Sequence, residues 1–362
     1  MKIKKSILDL IPYPPGKPIE ELTREYGIQK VTKLASNENP LGPSPQALRA
    51  ILKTLPQLHR YPDGSGYYLR QSLSRILRFA PEQILLGNGS NEIIELALRA
   101  FLRPGYEVIS PTPSFLVYGK VVQAIGGKNI LVPLKRFTID LKAILDRIGP
   151  RTQIIIINNP NNPTGTIIKR KEWERFLISV PSRIMVLLDE AYIDFVEDQD
   201  CPNGLNYINC EKNLLVIRTF SKAYGLAGLR IGYGLTRPDL ADYMNRVRQP
   251  FNVNALAQAG ALGALGDQAF YEKTRNIIRT GKKVLERGLA RMGLFYVPSQ
   301  TNFILIRVPQ KAQVIYEAML KKGIIVRSMK SYGLEDYIRV NVGLPEENRR
   351  FLLALKQVID NK

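Results

Sequence analysis

Three apolar runs constrain the fold of this chain more than any other feature: Gln153-Ile154-Ile155-Ile156-Ile157, Ile184-Met185-Val186-Leu187-Leu188 and Leu214-Leu215-Val216-Ile217. Each is short, continuous and largely β-branched or aliphatic. A strand with one wet face alternates polar and apolar residues, so unbroken runs imply strands covered on both faces. Such strands build a mostly parallel sheet with crossover helices, which is an α/β architecture.

At 362 residues the chain exceeds one ordinary domain. The expected division is an N-terminal arm over residues 1–30, a large domain over 31–250 and a small C-terminal domain over 251–362. The arm carries Pro12-Tyr13-Pro14-Pro15-Gly16-Lys17-Pro18, which excludes regular helix and central strand. Residues 19–27 read as a short helix closed by Gly27. Beyond 250 the pattern changes to α+β. Residues 271–292 read as an amphipathic helix with Ile277, Ile278, Val284, Leu285, Leu289 and Met292 on its apolar face. Strands are expected at 301–308, 324–327 and 337–342, a helix at 314–322, and a last helix from about 346.

Composition narrows the function. Lys and Arg number 52 against 32 Asp and Glu, a net charge of +20. The basic residues are spread along the chain with no nucleic-acid motif, so they read as a solvated surface, and no nucleic-acid partner is expected. No apolar run reaches the roughly 18 residues of a membrane span, and the basic N-terminus lacks a cleavage site, so a cytoplasmic protein without a membrane partner is expected. One histidine, His59, and two cysteines, Cys201 and Cys210, argue against a metal centre. Proton transfer falls to lysine, tyrosine or carboxylate.

Each of the three runs ends in chemistry. The first leads into Asn158-Asn159-Pro160-Asn161-Asn162-Pro163-Thr164-Gly165, the second into Asp189-Glu190-Ala191-Tyr192, and the third into Thr219-Phe220-Ser221-Lys222. Ligands of open α/β sheets sit outside the carboxyl ends of the strands. One sheet edge therefore gathers an amide, a carboxylate, a phenol and an amine. These meet the needs of pyridoxal 5′-phosphate: Lys222 for an imine, Asp189 for the pyridine nitrogen, and Tyr192 with Asn162 for the ring 3-oxygen. Gly87-Asn88-Gly89-Ser90-Asn91 joins a strand to a helix, so its N–H groups make an anion site that Ser221 and Arg230 can close. The dinucleotide fingerprint fails there, because Glu92 stands where its third glycine belongs.

Longer motifs carry a resemblance over nearly the whole length. Asn159-Pro160-Asn161-Asn162-Pro163-Thr164-Gly165, Asp189-Glu190-Ala191-Tyr192 and Ser221-Lys222-Ala223-Tyr224-Gly225-Leu226-Ala227-Gly228-Leu229-Arg230 mark the wider aminotransferases. Pro12 to Pro18, Lys33-Leu34-Ala35-Ser36-Asn37-Glu38-Asn39-Pro40-Leu41-Gly42, Arg60-Tyr61-Pro62-Asp63 and Gln249-Pro250-Phe251-Asn252-Val253-Asn254 are more particular. The chain resembles the histidinol-phosphate aminotransferases, within the fold-type-I pyridoxal-phosphate enzymes. The resemblance implies a large domain with a mostly parallel mixed sheet and a smaller α+β C-terminal domain. It implies a homodimer with shared active sites, acting on a small-molecule amino donor and 2-oxoglutarate.

By the same resemblance Lys222 is similar to the Schiff-base lysine and proton shuttle, Asp189 to the pyridinium partner, and Tyr192 and Asn162 to the 3-oxygen contacts. Gly89, Ser90, Asn91, Thr219, Ser221 and Arg230 resemble the phosphate cup. Tyr61 matches the tyrosine sent to the neighbouring subunit's phosphate, and Phe115 the aromatic that stacks on the cofactor. Arg339 resembles the arginine for the substrate's anionic end, with Tyr13, Asn37 and Arg327 as further substrate contacts. Asn91 stands where the pattern usually has aspartate, and Phe115 where tyrosine also occurs. The implied reaction is amino transfer between L-histidinol phosphate and 2-oxoglutarate in histidine biosynthesis. An aromatic amino-acid aminotransferase and a threonine-phosphate decarboxylase share the expected fold, and a non-catalytic nucleic-acid binder is a distant alternative.

Overall fold

The computed structural model describes residues 3–360. Its centre is a seven-stranded sheet in the order Ile84–Gly87, Gly232–Leu235, Asn213–Thr219, Met185–Asp189, Thr152–Asn158, Glu107–Thr112, Lys128–Pro133. Every pairing is parallel except those of Gly232–Leu235, which runs antiparallel to both neighbours. The three apolar runs are the central strands.

Their two-sided burial is visible residue by residue. Ile155, Ile157, Val186, Leu188, Leu214 and Val216 face one core, with Trp173 and Phe176 of the helix Arg170–Ser179. Their alternating neighbours Ile154, Ile156, Met185, Leu187, Leu215 and Ile217 face a second, built on the helix Ser90–Phe101. Period-two alternation thus divides an unbroken apolar run between two interiors. Burying each such side chain contributes about 1.5–3 kcal/mol.

A four-stranded antiparallel sheet, Arg327–Ser328, Tyr337–Asn341, Phe303–Arg307 and Tyr296–Val297, lies beside it. Helices Gln268–Arg291, Ala312–Lys321 and Pro345–Asp360 cover it with Ile278, Leu285, Leu289, Ile315, Met319, Phe351 and Leu355. Tyr192 and Ala223, from just beyond two central strands of the large sheet, join this core. The two sheets therefore meet at the strand ends that carry the candidate chemistry.

Three expectations change in detail. The helix expected at 271–292 starts at Gln268, where Asp267 accepts the Phe270 N–H at 3.4 Å. Val284 is on the expected apolar stripe but exposed, because the core reaches only part of that face. The strand expected at 324–327 is two pieces. Ile324–Ile325 pairs in parallel with Thr32–Lys33, whereas Arg327–Ser328 pairs with Tyr337–Asn341. Among the described residues no helix is long and apolar enough to cross a membrane.

Candidate active site

Sheet register builds the site. Asn158 lies opposite Asp189, and Asp189 opposite Ile217, so the three central strands end side by side. Backbone bonds continue the alignment, from Asn159 N–H to Asp189 O at 2.9 Å and from Glu190 N–H to Ile217 O at 2.8 Å. A cleft of about 340 Å³ opens there, within the roughly 300–1,000 Å³ common to small-molecule sites. Lys222, Asp189, Tyr192, Asn162, Ser90, Asn91, Phe115, Thr219, Ser221 and Arg230 line it, as do Tyr13, Asn37, Arg327 and Arg339. Gly89 borders it beneath Arg230, where a side-chain carbon would run into the guanidinium. Tyr61 is elsewhere: it is 83% exposed and stacks on Phe251 with ring centroids 4.8 Å apart.

Lys222 Nζ donates to Ser36 O at 3.1 Å and sits 5.7 Å from the centre of the Tyr192 ring. Burial, helped by the charge of Arg339, pulls its amine from 10.5 down to about 8. Asp189 is buried and its carboxyl is pushed up to about 6 by desolvation, against the pull of a hydrogen bond from Tyr118. That bond, Tyr118 Oη to Asp189 Oδ2, is 2.6 Å long, and Ala191 N–H donates to the other oxygen at 3.0 Å. Burial raises the Tyr192 phenol, so it stays protonated at neutral pH.

The lone-pair arrangement is informative. Asn37 Nδ2 donates to Tyr192 Oη at 2.8 Å, which leaves the phenol proton free to be donated onward. Arg339 donates to Asn162 Oδ1, which leaves that amide's N–H groups as donors. Two donors thus converge on one region, the arrangement an anionic ring oxygen requires. At the other end the helix Ser90–Phe101 starts without a side-chain cap, so its first N–H groups face the cleft mouth unpaired by the helix. Arg230 closes this end, donating to Ala227 O at 3.1 Å and lying 3.5 Å from Ser221 Oγ. Arg339 Nε and Asn37 Oδ1 are buried without a partner among the described residues, so the cleft is built for a further polar group.

Sequence reading passed over Tyr118, Asn158 and the carbonyls of Ser36 and Ala35. Tyr118 stands three residues after Phe115, in the first turn of the helix Val117–Ile125, and that proximity was the available signal. Asn158 heads the motif whose later members were chosen. It accepts the Asn162 N–H at 2.8 Å and donates to Asp189 O at 3.0 Å, tying two strand ends together.

The amine supplies a pH test in the cofactor-free protein. With its native value near 8 and its unfolded value near 10.5, Lys222 is neutral in the fold but protonated in the unfolded chain between those limits. Its burial penalty is full below about pH 8 and relieved as pH rises through that window. Acylation of Lys222 followed by peptide mapping should show a midpoint near pH 8 in the native protein. A midpoint like that of surface lysines would remove the assignment.

Comparison with known proteins agrees with this geometry. The family model described as aminotransferase class I and II matches residues 29–355. A histidinol-phosphate aminotransferase 2 of Pseudomonas fluorescens (strain Pf0-1) is 47% identical over 355 residues, covering 98% of this chain and 96% of the relative. The histidinol-phosphate aminotransferase of Desulfotalea psychrophila is 48% identical over 362 residues, covering 99% and 96%. Among solved structures, a histidinol-phosphate aminotransferase from Sinorhizobium meliloti in complex with pyridoxal-5′-phosphate superposes with a TM-score of 0.91, at 27% identity, over 99% of this chain and 98% of that one. Matches of this identity along the whole length, on a fold whose strand ends gather these side chains, leave one conclusion: the chain belongs to the class I and II aminotransferases and, within them, to the histidinol-phosphate aminotransferase family.

Proposed function

We propose that the cleft transfers an amino group between L-histidinol phosphate and 2-oxoglutarate, giving imidazole acetol phosphate and L-glutamate in histidine biosynthesis, with pyridoxal 5′-phosphate bound. The observation that carries the reading is the convergence of Lys222, Asp189, Tyr192, Asn162 and Arg339 on one cleft beside an uncapped helix start. Relatives named as histidinol-phosphate aminotransferases, matched over nearly their whole length, support histidinol phosphate as the amino donor.

The residues fit the cofactor. The helix start, Gly89, Ser90, Asn91, Thr219, Ser221 and Arg230 would hold its phosphate, Phe115 its ring face, Asp189 its ring nitrogen, and Tyr192 and Asn162 its ring oxygen. When bound, pyridoxal phosphate supplies a carbonyl carbon that takes up the amino group and a ring that draws electrons from the donor's α-carbon. Lys222 would anchor that carbonyl, and its free amine would move the proton that leaves the donor's α-carbon. A neutral amine is needed for both tasks, and burial provides it. Asp189 as carboxylate would keep a proton on the ring nitrogen, and Tyr118 holds that carboxylate in place. Arg339 receives the anionic end of either substrate.

The same reading makes the protein a homodimer in which Tyr61 serves the partner's phosphate. Leu48, Leu52, Leu55, Leu58, Tyr61, Tyr67 and Tyr68 form an exposed apolar run that a second copy would cover. A cytoplasmic location is in keeping with the two unpaired cysteines, Cys201 and Cys210.

A panel of amino donors with 2-oxoglutarate tests the reading. L-histidinol phosphate should exceed phenylalanine and tyrosine in kcat/KM by at least about 100-fold, since a phosphate has oxygens for both Arg339 and Arg327 in the cleft where a carboxylate fills one fork. Equal or better turnover of the aromatic donors would transfer the assignment to them, and carbon dioxide release from threonine phosphate would mark a decarboxylase.

A further inference from the structure

The run Gln249-Pro250-Phe251-Asn252-Val253-Asn254 lines no part of the cleft, yet its two asparagines reach both rims of the anion cup. Asn252 Nδ2 donates to Glu92 Oε2 at 2.6 Å and to Leu86 O at 3.2 Å. The same Glu92 oxygen accepts the Asn88 N–H at 2.6 Å, so one carboxylate grips both this segment and the loop leading into the helix Ser90–Phe101. On the opposite rim Asn254 Nδ2 donates to Leu229 O at 3.1 Å, one residue before Arg230. Glu92, the residue that breaks the dinucleotide fingerprint, acquires a use here.

The other side of the segment holds the loop that carries Tyr61. Arg248 Nη1 donates to Asn252 Oδ1 at 2.6 Å and to Gly64 O at 2.9 Å. Gln258 Nε2 donates to Asp63 O at 2.9 Å. Between these anchors the Phe251 ring stacks on Tyr61, with 20° between planes. Phe251 has φ +54°, a left-handed backbone that a bulky side chain rarely adopts, so its neighbours must hold it there. The hydrogen bonds form an unbroken path: Gly64, Arg248, Asn252, Glu92, Asn88.

We propose that Asn252, braced by Glu92 and Arg248, is a positioning residue that locks the cofactor's phosphate cup to the Tyr61 loop. The proposal rests on the reading of the cup and of Tyr61 given under Proposed function. Its consequence is that one bracket sets both a subunit's own anion site and the side chain it lends to its partner.

A bracket that merely stabilises the fold would weaken every ligand alike, whereas one that shapes the cup acts through the phosphate. The test measures, by equilibrium dialysis of the cofactor-free dimer, dissociation constants for pyridoxal phosphate and for pyridoxal, which lacks the phosphate. Asn252→Ala should lower the preference for the phosphorylated ligand by about tenfold, the worth of one charge-assisted hydrogen bond, with pyridoxal affinity unchanged. Glu92→Gln, which keeps the shape and loses the charge, should lower it in the same direction and serves if the alanine variant does not fold. Arg248→Met, a change that touches neither residues 88–91 nor Arg230, should do so as well. An unchanged preference, or equal weakening of both ligands, would overturn the proposal. A wild-type protein with no preference would instead remove the reading of the cup itself.

Discussion

Replacing Lys222 by alanine should lower the rate of amino transfer by at least about 10⁴-fold, because in its proposed role the residue is covalent anchor and proton shuttle together. The cleft holds no substitute. Among the described residues its lining includes no other lysine and no histidine. Tyr192 keeps its proton because burial raises its phenol, and Asp189 is engaged by Tyr118 and Ala191. Steady-state assays would set the loss, and borohydride treatment of the variant with pyridoxal phosphate should leave no modified lysine where wild type is modified at Lys222. A small primary amine added to the assay should restore part of the rate, since the geometry around the missing amine is intact. Residual turnover above about one per cent would place the shuttle on another residue.

The same variant reports on the assembly. If Tyr61 of one subunit completes the other's site, Tyr61→Ala and Lys222→Ala proteins damage different halves of a shared centre. Refolding the two together should regain activity, because a mixed dimer keeps one site with both residues native. At equal amounts the recovery approaches about one quarter of wild type, since half of the dimers are mixed and each has one working site of two. No recovery would mean that each site is complete within its own chain.

The fold was legible where burial is two-sided, because a strand such as Ile154 to Ile157 then has no polar position to blur it. The strands Lys128–Pro133 and Gly232–Leu235 were harder to read. The first is a half-exposed edge, and the second is only four residues long with glycine at two positions. Those glycines answer to packing, not to strand propensity: a side-chain carbon at Gly232 would meet the Ser90 N and Arg218 O. In the site, the residues at strand ends were legible because the chain order of the runs places them on one edge. What joins them was not. Tyr118 and Asp189 are 71 residues apart, and Asn162 and Arg339 are 177 apart, so only the folded sheet pairs them. Tyr118 reads as core from its neighbours, and its hydroxyl acquires a role only beside a buried carboxylate.

Arg339→Ala should reduce kcat/KM for the amino donor and for 2-oxoglutarate alike, each by about 10²–10³-fold, the value of a bidentate charge-assisted contact inside a protein. The reason lies in how the fold keeps this guanidinium. Arg339 is 5% exposed and, among the described residues, pairs with no carboxylate; its donors go to Asn162 Oδ1 and Ala35 O, and its Nε has no partner there. The Phe303 ring lies 5.0 Å beneath it. A buried cation without a counter-ion is costly unless an anion arrives to complete it. Both substrates bring one, a phosphate in one half-reaction and a carboxylate in the other, and a planar fork can accept either. Single-turnover measurements of the two half-reactions separate the outcomes: loss in both assigns the dual role to Arg339, and loss in one alone gives the other anion to Arg327, whose guanidinium also lines the cleft. Arg339→Lys should recover less than about tenfold, because an ammonium restores the charge without the two parallel donors.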